Sequence, residues 1–304
     1  MTCSAISWSL LASVAMAGCY GLHTGRDAGP ADADCELACE CRDALPLPRG
    51  AGWVGVNYGP DFPGYQHLLT REVWLGKNKA TAGCYRRCVE EGACTIPSVS
   101  WVIEEAATPG NSELRSDYFM EDRYANLPMI ALSRSDAASY CSWLGGRLPT
   151  NGEWERAARG LEGRENHWSP IPDDPLFPEP PDGPVDLCAH LHWPSREAVD
   201  GCDRYPAALV EVGHSTPGLY GHLDLHSAPY EIVQDYYAPY PEGAVPPDYA
   251  GPMRDTGIRT LRGGPYGGAR HTMPVALEMT REVTGWPYVL LSGVRCAFDN
   301  DPRE

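Results

Sequence analysis

The stretch from residue 144 to residue 160, LGGRLPTNGEWERAARG, restricts the fold of this chain more than any other part of it. Thr150 and Glu153 have the T-x-x-E spacing of a capping box, in which the hydroxyl and the carboxylate each satisfy a backbone N–H of the first helical turn. Gly160 can take the left-handed conformation that ends many helices. The stretch therefore predicts a short helix with both ends fixed by the sequence.

Similar boundary signals predict two more helices among short strands. One helix lies between Thr81 and Gly92, and another begins at a Ser133-x-x-Asp136 capping box and ends at Gly145. The predicted strands are short and lie at 73–77, 231–237, 259–262 and 293–298. Many prolines between residues 170 and 184 argue against regular structure there. This order of elements predicts a loop-rich α+β fold without regular βαβ alternation.

Length and charge limit the classes of function. The chain has 304 residues and a formal charge of −17, from 41 acidic and 24 basic side chains. Such a surplus of negative charge repels phosphate backbones, so we expect no nucleic-acid partner. The length allows one large core, or one core with a small appendage. After residue 20, no apolar run reaches the roughly 20 residues that a membrane-spanning helix needs.

The first 18 residues are typical of a bacterial lipoprotein signal peptide. Ile6–Ala15 is a short apolar region, and Met16–Cys19 resembles a lipoprotein box in which Cys19 carries the lipid. The first nine residues lack Lys and Arg, so an ordinary cleaved signal or a buried N-terminal segment is the alternative. Residues 19–52 are predicted to be a tether with a cysteine cluster, and residues 53–304 the folded domain. We expect export to the bacterial cell envelope, lipid-anchored or free in the periplasm or outside the cell.

Cysteine usage agrees with export. Apart from Cys3 and Cys19, the remaining ten form an even set, which predicts disulfides in an exported chain. Local bridges are expected within two pairs, Cys88–Cys94 and Cys188–Cys202. The partners of four other cysteines stay open: Cys35, Cys39, Cys41 and Cys84. Zinc binding by the first three of these is the alternative, although C-x3-C-x-C is not the spacing of a standard zinc knuckle.

Four ordered blocks resemble motifs of one protein family, the formylglycine-generating enzymes or sulfatase-modifying factors. Residues 144–160 are similar to G-G-R-L-P-T-E-A-E-W-E-x-A-A-R-G, and residues 218–237 to G-L-Y-D-M-x-G-N-V-W-E-W-V-x-D-W-Y. Residues 259–264 resemble R-V-x-R-G-G-S, and residues 293–297 resemble G-F-R-C-A. The resemblance implies the C-type-lectin-like variant of that family's fold, loop-rich and stapled by disulfides. It also implies a disulfide between Cys141 and Cys296.

The residues that would carry the family's redox chemistry differ in this chain. Relatives that oxidise a substrate cysteine hold copper(I) between two thiolates shortly after R-G-G-S, because soft sulfur binds that ion strongly. Here residues 265–273 contain no cysteine and Pro265 replaces the serine, so copper is not expected. Other branches hold non-haem iron with histidines. The candidates for such a site are His222, His226, His190 and His192.

Calcium is a further cofactor that the resemblance raises. The G-N-V-W-E block supplies oxygen ligands in relatives, and Ala228 replaces its asparagine. Glu231 is retained and Asp235 lies nearby, which makes these two carboxylates candidate ligands, although calcium takes six to eight oxygens. A hydrogen-bonded structural role for Glu231 is the alternative expectation.

Two classes of function follow. Tyr, Trp and Arg dominate recognition surfaces, although the same residue types also occupy cores and rims. The resemblance implies a groove lined by Arg262, Tyr266, Arg270, His271, Trp286 and Arg295. We expect a non-catalytic binding module without a cofactor, which contacts a protein segment or a glycan and reaches the membrane only through its lipid. The alternative is a formylglycine-generating oxidoreductase that acts on a cysteine, or a divergent non-haem iron enzyme of the same family.

Overall fold

The computed structural model describes three helices, nine strands and the loops between them. The residues described are 41–55, 64–97, 118–162, 210–225, 227, 229–236, 238–241, 243–252, 254, 258–263, 279–282 and 292–303. The helices are α1 (Ala82–Glu90), α2 (Arg134–Trp143) and α3 (Asn151–Arg159). The strands are β1 (Ala44–Pro46), β2 (Gly50–Val54), β3 (Tyr65–Leu69), β4 (Trp74–Gly76), β5 (Tyr230–Tyr236), β6 (Ile258–Arg262), β7 (Met279–Glu282), β8 (Ser292–Gly293) and β9 (Ala297–Phe298).

The helix boundaries follow the signals in the sequence. The Thr150 hydroxyl accepts a hydrogen bond from the Glu153 N–H at 3.1 Å, and the Thr150 N–H donates to the Glu153 carboxylate at 2.8 Å. Gly160 ends α3 with φ of 77°. Ser133 and Asp136 form the same reciprocal box at the start of α2, and Thr81 caps α1. All three predicted helices are thus confirmed, with their caps.

The strands form three small sheets. The order β1–β4–β9 is antiparallel throughout, and β2 pairs with β3 as an antiparallel hairpin. In the third sheet the order is β7–β6–β5–β8, where only β8 runs parallel to its neighbour. Because β4 and β9 are far apart in the chain, their pairing joins the two ends of the domain. The predicted α+β class is confirmed.

Two clusters of buried apolar side chains hold these elements together. The first lies between α1, α2 and the third sheet, and includes the stacked rings of Tyr85 and Tyr140, whose centroids are 5.7 Å apart. The second lies under α3, where Trp154 is fully buried against residues that include Leu75 and Val233. Burial of apolar surface at roughly 25 cal/mol per Å² makes these clusters the main source of stability.

Three disulfides staple the described part of the chain. Cys141–Cys296 and Cys88–Cys94 are present as expected, and Cys41 pairs with Cys84, which the sequence had left open. The expected Cys188–Cys202 bridge lies outside the described residues. Cys41 is bonded to a residue of α1 and therefore does not belong to a zinc cluster with its neighbours in sequence.

The folded region begins upstream of residue 53, which corrects the predicted boundary. Residues 44–46 pair with 74–76, and Gly50 already lies in the β2–β3 hairpin. This segment has few large apolar side chains. Backbone pairing with β4 and the Cys41–Cys84 bond attach it to the domain. Among the described helices, none has the length and apolar character required to cross a bilayer.

Candidate functional site

The charged residues of the signature helix α3 point into the protein and not toward a ligand. Glu155 is fully buried and forms ion pairs with Arg159 and with Arg262, whose Nη2 lies 2.6 Å from the carboxylate. The same carboxylate accepts a hydrogen bond from the Gly55 N–H at 2.7 Å. Arg156 donates to the carbonyls of Pro48 at 3.0 Å and His67 at 2.8 Å. Helix α3 therefore links the β2–β3 hairpin to the third sheet through buried charges.

Glu153 has a second structural task besides capping α3. Both of its carboxylate oxygens accept from the Arg147 guanidinium at 2.8 Å. Arg71 adds a contact at 3.0 Å, although 38% of the Arg71 side chain is exposed. Burial is the largest effect and would lower the pKa of Arg147, but the hydrogen bonds that Arg147 donates to Glu153 and Asp299 and the charges of both carboxylates together raise it, so this guanidinium stays charged.

Glu231, the first calcium candidate, lies at the centre of a cationic cluster. Its carboxylate accepts from the Arg295 Nε and Nη2 at 3.0 Å and from the Trp154 indole at 2.6 Å. The Lys79 ammonium lies 3.1 Å away. Burial alone would raise the pKa of Glu231, but the charges of Arg295 and Lys79 outweigh it and hold the pKa at about 2. Glu231 is therefore an ionised structural carboxylate at neutral pH.

The residues present do not fit a calcium ion. Two positive groups already neutralise Glu231, and calcium binds where oxygens stay free of competing cations. Asp235 lies four positions further along β5, about 13 Å away at the usual rise per strand residue, so the two carboxylates cannot share one ion. Asp235 instead accepts from the Asn151 N–H at 2.7 Å. Within the described residues, no group of three or more His, Cys, Asp and Glu side chains could hold a metal.

The copper and iron candidates do not assemble a site in the described part of the chain. The only cysteine after Cys202 is Cys296, and it is bonded to Cys141. His222 is 1% exposed, and burial together with the charge of Arg295 lowers its pKa to about 3. The other histidine candidates, His226, His190 and His192, lie outside the described residues.

The six residues that were predicted to line a groove fall into two groups. Arg262 is fully buried and Arg295 is 1% exposed, so neither can line an open groove. Their guanidiniums belong to the two ion-pair clusters around Glu155 and Glu231. The other predicted residues, Tyr266, Arg270, His271 and Trp286, lie outside the described residues. Sequence reasoning placed the two arginines in the correct blocks but not their side-chain directions, because a motif does not show which face of a strand is covered.

A polar cavity of about 410 Å³ opens on another side of the domain. It lies between the segment before β1, the β4–α1 connection and the strand β9. Its polar wall includes Asp43, Lys77, Asn78, Thr81, Asn126 and Glu211. The Asn78 side-chain oxygen is buried and has no hydrogen-bond partner in the described structure. This cavity could not be predicted from sequence, since its wall comes from segments that are distant in the chain.

The cavity combines both charges with an apolar floor. The Lys77 ammonium lies 3.5 Å from the Asp43 carboxylate, and both side chains are about one-third exposed. Tyr140, Leu144 and Phe298 supply apolar surface. A volume of this size falls in the range that holds small ligands, and such sites pair apolar walls with a few placed polar groups. The arrangement offers hydrogen-bonding groups of both charges to a polar molecule.

The domain combines short helices, three small sheets and disulfides with buried charged residues in α3. These features define a loop-rich domain of the C-type-lectin-like class. The chain belongs to the family of the sulfatase-modifying factor enzyme 1-like domain, whose family model matches residues 36–300. The predicted resemblance and its fold are confirmed. The match begins upstream of residue 53, as the position of β1 requires.

Curated relatives match over short stretches. One stretch of 43 residues is 54% identical to the inactive C-alpha-formylglycine-generating enzyme 2 of Mus musculus and covers 14% of each chain. Another of 65 residues is 42% identical to the formylglycine-generating enzyme of Thermomonospora curvata, over 21% of this chain and 18% of that protein. The aligned parts thus span less than a fifth of each of these two relatives. The name of the first relative calls it inactive, whereas the name of the second calls it an enzyme.

Solved structures share the fold over nearly the whole chain. PvdO from Pseudomonas aeruginosa aligns with a TM-score of 0.58 at 18% identity, over 85% of this chain and 94% of its own. Treponema denticola variable protein 1 aligns with a TM-score of 0.56 at 16% identity, over 84% and 95%. Identities this low show a common fold and nothing about activity.

Proposed function

We propose that this protein is a non-catalytic binding module on a sulfatase-modifying-factor scaffold, exported to the bacterial cell envelope. The proposal rests mainly on the positions and bonding of the cysteines. No thiolate pair follows the Arg259–Gly264 block, and the one cysteine beyond Cys202 is consumed by a disulfide. Without two thiolates, the copper(I) centre of the oxidising relatives cannot form.

The buried signature charges support this proposal. Arg262, Glu155 and Glu231 belong to retained motifs, yet each is 0% exposed and paired within the domain. Their retention is explained by folding, because removal of one partner of a buried pair is strongly destabilising. A retained motif therefore does not imply a retained activity in this chain.

The 410 Å³ cavity is the binding site that the described residues support best. Its Asp43, Lys77 and Glu211 side chains favour a polar ligand with several donors, such as a glycan or the polar end of a protein segment. A surface with carboxylates and an ammonium also disfavours an apolar ligand. Lys77→Ala should weaken the binding of a glycan or peptide ligand to this cavity, measured by isothermal titration calorimetry, and unchanged binding would place the ligand elsewhere.

The catalytic alternative is tested by incubation of the purified chain with a Cys-x-Pro-x-Arg peptide, copper and oxygen. The formylglycine-generating enzyme of Streptomyces coelicolor serves as the positive control, since one stretch of it is 52% identical to this chain. We expect mass spectrometry to find the peptide unchanged by this protein and converted to the aldehyde by the control. Conversion by this chain, or conversion with iron in place of copper, would establish the enzyme alternative instead.

Lipidation at Cys19 is the proposed route to the membrane. Disulfides are typical of exported proteins, and three are present in the described part. Single acyl chains anchor weakly, so stable attachment needs the several chains of a lipoprotein. Cys19→Ser should release the protein from the membrane fraction, whereas Cys3→Ser should leave its distribution unchanged. Equal retention of both variants would require another anchor.

A further inference from the structure

The Lys79 side chain ends in a cage of oxygen atoms. Its Nζ lies 2.7 Å from the Ser227 carbonyl, 2.7 Å from the Pro229 carbonyl and 3.1 Å from the Glu231 carboxylate. Only 3% of Lys79 is exposed, so this is a buried charge and not a surface contact. An ammonium group has three hydrogens to donate, and the three oxygens use all of them.

The three acceptors form the kind of ligand set that a hard cation prefers. Ser227 and Pro229 present their backbone carbonyls, and Glu231 its carboxylate, to a single point. Calcium is bound by such oxygens at 2.3–2.6 Å, slightly closer than the nitrogen–oxygen distances found here. The three oxygens are therefore arranged as in a cation site. The cation that occupies this site is the ammonium group of Lys79.

The charges around this point balance only when a cation is present. Glu231 and Asp224 are negative, Arg295 and Lys79 are positive, and all four are at most 4% exposed. Loss of Lys79 would leave one uncompensated negative charge in the interior, and burial of an unpaired charge is costly. A bound calcium ion would offset that negative charge and leave one positive charge in excess, whereas a neutral side chain would leave the negative charge unpaired.

We propose that the Lys79 ammonium occupies the place of a metal ion in this site and makes the fold independent of calcium. The inference does not depend on the proposed function, because it concerns how the third sheet is joined to the β4–α1 connection. It also explains why Glu231 is retained although no calcium can reach it.

The test is the response of wild type and Lys79→Ala to calcium and to EDTA, measured as the midpoint of thermal unfolding. We expect no shift for the wild type. Lys79→Ala should have a lower midpoint in EDTA and regain about 3–10 °C in calcium on the order of 10 mM, because the vacated cage should bind calcium at the affinity of weak extracellular sites. Terbium, a calcium analogue, should emit after excitation of Trp154, whose indole nitrogen lies 2.6 Å from the Glu231 carboxylate.

Two control variants separate this mechanism from general effects of charge. Lys79→Met fills the space without a charge and should show neither the calcium shift nor the terbium emission. Lys77→Ala removes a lysine two residues away whose side chain is 38% exposed, and its response to calcium and EDTA should match that of the wild type. A wild type that loses stability in EDTA, or a folded Lys79→Ala that ignores calcium and terbium, would overturn the proposal. If Lys79→Ala does not fold when expressed, its refolding yield from urea should be higher in calcium than in EDTA, and equal yields would also overturn it.

Discussion

Glu155 shows at the scale of one side chain why the family signature survives here. It is the common acceptor of Arg159, Arg262 and the Gly55 N–H, and it is fully buried. Glu155→Gln keeps the volume but leaves two buried guanidiniums without their counter-charge. We expect a loss of about 3–5 kcal/mol in the free energy of unfolding, measured by urea titration. The exposed Glu90→Gln should stay within about 0.5 kcal/mol of wild type, and an equally small effect at Glu155 would contradict a structural role.

His222 should make the protein sensitive to mild acid. Burial, with the charge of Arg295, lowers its pKa to about 3 from an ordinary value of 6.5. Below pH 6.5 the unfolded chain binds this proton and the folded chain does not, so stability falls with falling pH by up to about 1.4 kcal/mol per pH unit. Urea midpoints above pH about 5 exclude Glu231, which has a pKa of about 2 and loses its contribution only as pH falls from 4.5. His67, whose pKa is also lowered by burial, contributes over the same range, so loss of the His222 ring should reduce the pH dependence without removing it.

The matched variants for this pH dependence are His222→Asn and His214→Asn. The first should reduce the fall in stability between pH about 7 and about 5, since the titrating ring is gone. The second removes an exposed histidine and should retain the wild-type slope. Identical slopes in wild type and His222→Asn would show that the buried ring does not govern the acid response.

At the scale of elements, the reciprocal cap at the start of α3 is the local feature with the clearest energetic consequence. Thr150 is 2% exposed, and its hydroxyl and N–H both bond to Glu153. Thr150→Ala leaves an N–H of the first turn without its partner, and we expect a loss of about 1–2 kcal/mol by urea unfolding. Thr150→Ser keeps the hydroxyl and should recover most of this loss. Equal losses in both variants would point to the methyl group and not to the cap.

The helices could be predicted from sequence more fully than the sheets. Capping boxes are local, so Ser133, Thr150 and Gly160 carry the information for α2 and α3 within a few residues. Strand β1 gave no such signal, because Ala44–Pro46 is held by backbone pairing with Trp74–Gly76 and by a disulfide at Cys41. Pairing partners that are distant in sequence explain why the predicted domain boundary at residue 53 was too late.

For the whole molecule, the Cys141–Cys296 bond should be the dominant covalent constraint. It closes a loop of 155 residues, whereas Cys88–Cys94 closes one of 6. In the chain-entropy account, replacement of both cysteines by alanine should cost about 5 kcal/mol for the long loop and about 2 kcal/mol for the short one. Urea unfolding of the two double variants gives the comparison. Equal losses would indicate that local strain or packing, and not chain entropy, sets the contribution of these bonds.

The candidate site was less predictable than the fold. Arg262 and Arg295 could be assigned to their motifs, but their burial depends on Glu155 and Glu231, which approach them from other elements. The Lys79 contact with Glu231 joins residues 152 positions apart in the chain, and only the three-dimensional structure shows that the two side chains meet. The cavity near Asn78 could not be predicted from sequence for the same reason, because its wall is assembled from segments that are distant in the chain.

We propose that this family scaffold is held by its own charges and disulfides; in the part of the chain that the structure describes, no cluster of side chains could hold a metal. The most direct measurement is the metal content of the purified, oxidised full-length protein, by inductively coupled plasma mass spectrometry after dialysis against copper, iron and calcium. We predict substoichiometric amounts of all three, with the Streptomyces coelicolor enzyme retaining copper under the same treatment. One tightly held copper, iron or calcium ion per chain would contradict the account.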